Sequence, residues 1–214
     1  MNTMPLIKLK NAVGNEAYFT AKILNTPDID CIKMKDAIYE PGDNIKLSKY
    51  DTDFIIDYII KTHHDFTKKN AVIIYNLIQK VACRHSHEHN ELKKFNEVAF
   101  FFFHDLLNQM LKEEQNLFPY LRQKASDIKY DGKNDNASLQ SLKEKIRLQQ
   151  IEHEKSLNYL KVFRQITNDY QIPSDACWYY TSLFEKMKEL EYDLTLHFYL
   201  EDDILFPNAI AAYK

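Results

Sequence analysis

The chain has 214 residues, 45% apolar and 28% charged, with a formal net charge of −3 and only three glycines: Gly14, Gly42 and Gly132. Loops that cradle phosphate need closely spaced glycines so that backbone amides can approach the ligand, which excludes dinucleotide and P-loop chemistry. The near-neutral charge lacks the basic footprint of a nucleic-acid binder, and the greasiest run, residues 98–103, stops at His104-Asp105, far short of a membrane span.

In chain order, residues 1–46 read as a short, loosely helical N-terminal region closed by the turn signal Pro41-Gly42-Asp43. Residues 47–214 read as one helical domain. Ser48 with Asp51 resembles a capping box opening the first long helix. That helix is expected over about 51–83, ending in the polar tract His85-Ser86-His87-Glu88-His89. The second is expected over about 90–122, ending after Phe118-Pro119. A loop rich in Asp, Asn and Gly at 130–136 follows. The third is expected over about 138–169, and the fourth over about 174–205, stopping at Phe206-Pro207. Four long helices with short connections predict an all-α, up-down-up-down four-helix bundle. Cys31, Cys83 and Cys177 are odd in number and far apart, so no disulfide framework is expected. The N-terminus lacks the apolar core of a signal peptide, and a cytoplasmic protein, monomeric or homodimeric, is the expectation.

The bundle repeats itself. Residues 112–119 read KEEQNLFP and residues 200–207 read LEDDILFP, a return after 88 residues. His64-Asp65 and His153-Glu154 recur after 89. Each half therefore carries a histidine on one helix and a glutamate on the next. Common ancestry or a shared structural job for the helix ends would each produce this. His197 and Glu201 are four residues apart, which puts both on one helical face, one turn apart. The same frame in the first half holds Gln109 and Glu113. With His64 and His153 the set is three histidines, two glutamates and one glutamine from four helices. His64 lies on the apolar seam Ile60, Thr67, Ala71, Ile74 and Ile78, and so faces inward.

A lone inward histidine is ordinarily a hydrogen-bonded core residue. Three of them in one duplicated frame with inward glutamates favour a metal, because unpaired carboxylates in a bundle core are costly. Imidazole with carboxylate suits iron, manganese or zinc. Ferritin-like bundles would show Glu-x-x-His pairs, and no histidine here has a glutamate three residues before it. The pattern points instead to a histidine-rich di-iron site.

On THHDF (62–66), MLKEEQNLFP (110–119), IEHEK (151–155) and HFYLEDDILFP (197–207), the chain resembles the hemerythrin-like bundles, and among them the repair-of-iron-centres proteins, over about residues 48–210. The resemblance implies two irons held by His64, Glu113, His153, His197 and Glu201, with both glutamates bridging. It implies handling of iron for iron–sulfur clusters damaged by nitrosative or oxidative stress, with iron–sulfur proteins as clients. Binding or sensing of O2 or NO without turnover is the alternative, and a bundle that has partly lost its metal is a third. Whether the protein turns over a substrate is open. The family has histidine where this chain has Gln109, which implies one weaker iron position. Relatives often begin with a Cys-Cys-Gly-Gly motif, whose counterpart here is residues 29–38 with Cys31 alone.

The remaining polar residues have blander readings. Asp105, Gln109 and Glu113 stack at i+4 steps, so Asp105 lines either an access path or the bundle rim. Glu114 and Asp202 are expected to face solvent or cap neighbours, and Cys83 and Cys177 to fill small apolar gaps. His63 and His104 lack a frame partner. His85 lies 21 residues beyond His64, about 31 Å along a helix, and is left out of the site. The His85–His89 tract reads as a solvated turn or as a chelator of adventitious zinc or nickel.

Overall fold

A computed structural model describes residues 51–131 and 136–213. The expected N-terminal region, Cys31 and Ser48 lie outside them. Among the described residues there are four long helices and no strand. Helix α1 (52–85) is built from Thr52–Tyr58, a π-helical segment Ile59–His64, and Asp65–His85. Helix α2 (91–131) runs as Glu91–Lys112, π-helical Glu113–Leu117 and Phe118–Asp131. Helix α3 is Asn136–Thr167. Helix α4 (178–211) runs as Trp178–Tyr199, π-helical Leu200–Leu205 and Phe206–Ala211. Each of α1, α2 and α4 thus carries one wide turn.

Helix α1 packs on α2 and α4, and α2 packs on α3, in the order of an antiparallel up-down-up-down bundle. The antiparallel pairing of α1 and α2 is visible at their open ends, where Arg122 bonds both Asp53 and Asp57. Two apolar cores fill the interior. The larger contains Phe95, Phe102, Phe103, Phe163 and Phe184; the smaller contains Ile55, Ile56, Leu117, Phe118, Leu142 and Leu205. A polar layer lies between them: His63, His64, Gln109, Glu113, Gln149, His153, Asp193, His197 and Glu201 are all buried.

Helices α2 and α4 both outrun their expected ends. Pro119 and Pro207 do not stop them, because the turn just before each proline is π-helical. Phe118 N–H bonds to Glu113 O, and Phe206 N–H to Glu201 O, each five residues back. A proline in a regular helix lacks its N–H and clashes with the carbonyl four residues earlier. Widening the turn ahead of it relieves that conflict. The repeated Leu-Phe-Pro motif therefore marks a wide turn inside a helix and not its end.

The wide turn in α1 shifts the helix phase by one residue. Ile59 is fully buried where Ile60 was expected, and both His63 and His64 are fully buried. The α3–α4 connection turns through Asn168, Asp169 and Tyr170, all with φ between 49° and 59°. This is left-handed backbone that ordinarily favours glycine. Cys177 packs partly against the larger core, whereas Cys83 is exposed and fills no gap, contrary to expectation.

Candidate metal centre

The polar layer brings together every expected ligand. His64 comes from α1, Glu113 from α2, His153 from α3, and His197 with Glu201 from α4. Ligand atoms of His64, Glu113, His197 and Glu201 all lie within 4.8 Å of one another, and all four residues are buried. His64 Nε2 is 3.1 Å from His197 Nε2 and 3.1 Å from Glu113 Oε2. His197 Nε2 is 3.2 Å from Glu201 Oε1. His153 Nε2 completes the cluster, 2.9 Å from Glu201 Oε2 and 3.7 Å from Glu113 Oε1.

The carboxylate oxygens of the cluster face its imidazole nitrogens. Glu113 Oε2 and Glu201 Oε2 lie at ion-pair distance from imidazole nitrogens, yet neither has a hydrogen bond of acceptable geometry. One ligand atom each of Glu113, Glu201, His64 and His197 lies within 4.8 Å of the other three. In a buried layer two such carboxylate oxygens are costly unless a protonated imidazole or a metal cation neutralises them. The donor set of imidazole and carboxylate fits iron, manganese or zinc.

Two carboxylates set the tautomers. Glu114 Oε1 accepts from His64 Nδ1 at 2.7 Å, and Asp202 Oδ2 accepts from His153 Nδ1 at 2.9 Å. Anchoring each ring through Nδ1 turns its Nε2 toward the centre, where a bound metal would take the place of the proton. Glu114 and Asp202 were expected to face solvent or cap neighbours. Instead each is the residue after a glutamate of the cluster, turned by the π segment onto the histidine of its own half. The acidic pair in the repeated motif is thus one glutamate in the cluster and one carboxylate that orients a histidine.

The charges are strongly coupled. Burial pulls the His64 pKa down, but Glu113 and Glu114 outweigh it and raise it to about 9. Burial likewise opposes protonation of His153, and Asp202, Glu113 and Glu201 raise its pKa well above the ordinary value. Burial raises the Glu113 carboxyl, and His153 and His64 reverse that and hold it far below the usual range. Glu201 is also lowered, by His197 and His153 against burial and the Glu113 charge.

Gln109 does occupy the histidine place, but it does not present its oxygen. Its Nε2 donates to Glu113 Oε1 at 2.9 Å, and its Oε1 accepts from Ser156 at 3.2 Å. A second glutamine joins it: Gln149 Nε2 also donates to Glu113 Oε1 and lies 3.2 Å from His153 Nε2. Gln149 was missed by sequence reasoning. Its signal was present, since Gln149 precedes His153 by four residues, the frame of Gln109–Glu113 and His197–Glu201. His63 is buried with Nδ1 3.1 Å from Asp193, and it stacks on His197 with ring centroids 5.8 Å apart. Asp105 lies toward the surface, bonded by Tyr159 and Lys155. His104 is exposed.

A buried histidine–carboxylate cluster between the two cores of an antiparallel four-helix bundle defines a metal-binding bundle of the histidine-rich kind. Residues 55–209 match the hemerythrin HHE cation binding domain, and the chain belongs to that family. Among curated proteins it is similar to the iron-sulfur cluster repair protein YtfE of Escherichia coli O81 (strain ED1a) and to that of Escherichia fergusonii. Each is 29% identical over 157 residues, covering 73% of this chain and 66% of the relative. The chain thus spans 66% of the length of these relatives. Among the described residues no helix is long and apolar enough to cross a membrane.

Proposed function

We propose that the protein is a non-haem iron protein that supplies iron for the repair of iron–sulfur clusters damaged by nitrosative or oxidative stress. The convergence of His64, Glu113, His197 and Glu201 within 4.8 Å in a dry interior carries the reading. These four residues are the proposed ligands of the better-held iron. His153, with Glu113 and Glu201 as shared carboxylates, is the proposed anchor of a second. Ferrous iron bound here would supply redox chemistry and affinity for O2 or NO. The side chains themselves hold charge and protons in place: Glu114 and Asp202 fix the imidazole tautomers, and Gln109 and Gln149 tether Glu113. The second position has one histidine and two glutamines beside it, so its iron is the more easily released. An exchangeable iron suits delivery to a client cluster, and the related proteins are named for iron-sulfur cluster repair.

Glu113→Ala and Glu201→Ala should each remove most of the iron bound by untagged protein, as measured by elemental analysis. Full iron stoichiometry in both variants would overturn the shared-carboxylate assignment. Gln109→His should raise iron content toward two per chain. Iron-loaded protein added to an iron–sulfur enzyme lacking its cluster should restore activity while losing iron. Retention of the iron with no recovery would favour a binder or sensor of O2 or NO.

A further inference from the structure

A second group of metal-ligating side chains lies at the other end of the bundle, where the polar tract after α1 meets the α3–α4 connection. His85 is the last residue of α1. The chain then makes one more turn, with His89 N–H bonded to His85 O at 2.8 Å, which sets His89 one turn beyond His85. Asp175 arrives from the α3–α4 connection, 86 residues further along the chain. One ring nitrogen of His85, one of His89 and one carboxylate oxygen of Asp175 lie within 4.8 Å of one another.

Three features distinguish this group from a chance surface cluster. His85 is only 9% exposed, and its Nε2 is buried with no hydrogen-bond partner. A buried imidazole nitrogen left without a partner is costly in a folded protein. His89 is held at both nitrogens: Nδ1 is 3.0 Å from Glu91 Oε1, and Nε2 is 3.1 Å from Asp175 Oδ2. Placing the proton on Nδ1, toward Glu91, leaves the Nε2 lone pair directed at Asp175, the carboxylate–histidine arrangement of metal sites. Tyr180, almost fully buried, floors the group, its ring centroid 5.4 Å from that of His85 and 5.5 Å from that of His89. The donor atoms already approach the separation of roughly 3.4 Å that bonds of 2.0–2.1 Å impose around tetrahedral zinc.

We propose that His85, His89 and Asp175 form a second metal site, separate from the central cluster, that takes a borderline divalent cation of the zinc class. Its fourth position falls to water. The site lies roughly 30 Å from His64 along α1, and its ligands come from the end of α1, the turn between α1 and α2, and the α3–α4 connection. Bound metal there would tie three chain segments together above Tyr180.

The test is Zn2+ binding to the full, untagged chain carrying Glu113→Ala and Glu201→Ala, so that the central cluster does not compete. Calorimetric titration with Zn2+ should show one equivalent bound at micromolar Kd or tighter. Adding His89→Ala or Asp175→Asn should weaken it at least tenfold. Both positions are partly exposed, so these variants are expected to fold where His85→Ala could unfold the helix end. Co2+ should give the visible absorption of a four-coordinate site, lost in the same two variants. In the parent chain, His89→Ala and Asp175→Asn should leave iron content at the central cluster unchanged. Absence of a Zn2+ equivalent, or equal affinity with and without His89 and Asp175, would overturn the proposal and leave an imidazolium–carboxylate ion pair only. Loss of Zn2+ binding on His87→Ala alone would overturn the ligand assignment.

Discussion

Glu114 and Asp202 act on the proposed metal centre through its histidines. Each accepts the Nδ1 proton of a histidine and thereby chooses which nitrogen faces the cluster. Burial raises the Glu114 pKa, and His64 with Lys68, whose Nζ lies 2.5 Å away, outweighs burial and lowers it. Glu114→Gln and Asp202→Asn should therefore weaken iron binding by about 10- to 100-fold while leaving the fold intact, since partners of this kind are worth that much in metal affinity. Competition with a chelator of known affinity measures the effect. Unchanged affinity in both would mean that burial alone orients the imidazoles. The signal for these residues was in the chain as the acidic pairs Glu113-Glu114 and Glu201-Asp202. It was unreadable because in a regular helix the neighbour of an inward residue points some 100° away.

The wide turns change that geometry at the level of the element. A π segment inserts one extra residue per turn and is found mostly at functional sites. Here it buries His63 beside His64 and lets Glu113 and Glu114 both serve the centre. Deleting the exposed Asn116 would return 113–117 to an ordinary helical turn, rotating Glu113 relative to the Phe118–Leu121 anchor by about 100°. The deletion should preserve far-ultraviolet helicity yet lower both iron content and melting temperature. Full iron content in the deletion variant would show that the wide turn does not aim Glu113. Hydrophobic periodicity located all four helices, because burial of one face is written in residue type. It missed the one-residue phase shifts, the run of α2 beyond residue 122 and the continuation of α4 through Pro207. The phase shifts and the passage through Pro207 depend on a hydrogen bond to the fifth residue back, which no local pattern specifies.

At the scale of the whole molecule, the polar layer couples metal, proton and stability. His64 has a raised pKa, about 9 in the folded protein against an ordinary 6.5. Its contribution is therefore fully present below pH 6.5 and is lost as pH rises through 9, on the order of 3 kcal/mol at most. Glu113 and Glu201 are shifted the other way, below an ordinary 4.5, so their contribution is present above that pH and lost as acid titrates them. Metal-free protein should accordingly be most stable between about pH 4.5 and 6.5, with a melting temperature that falls from pH 6.5 to 9. Iron held by His64 and His153 as proposed would take the place of their protons, so its affinity should rise over the same interval, with proton release on binding. Calorimetry of both forms across that range checks the opposite slopes. A melting temperature of the metal-free form that does not fall would contradict the charge assignment.

By itself the amino-acid sequence determined the helical class, the duplicated frame, and five inward residues that share one centre. Scarce glycine and long amphipathic stretches leave a chain of this composition little besides a bundle. Spacing of four residues puts His197 and Glu201 on one face in any helix. Only the tertiary structure decided what surrounds them. Gln149 joins Gln109 on Glu113 because α2 and α3 pack side by side, and Asp175 reaches His89 because the α3–α4 connection folds over the end of α1. Those contacts join residues 36 and 86 positions apart. Their formation depends on helix phase and crossing, which are set by how whole faces pack and not by any short stretch of chain.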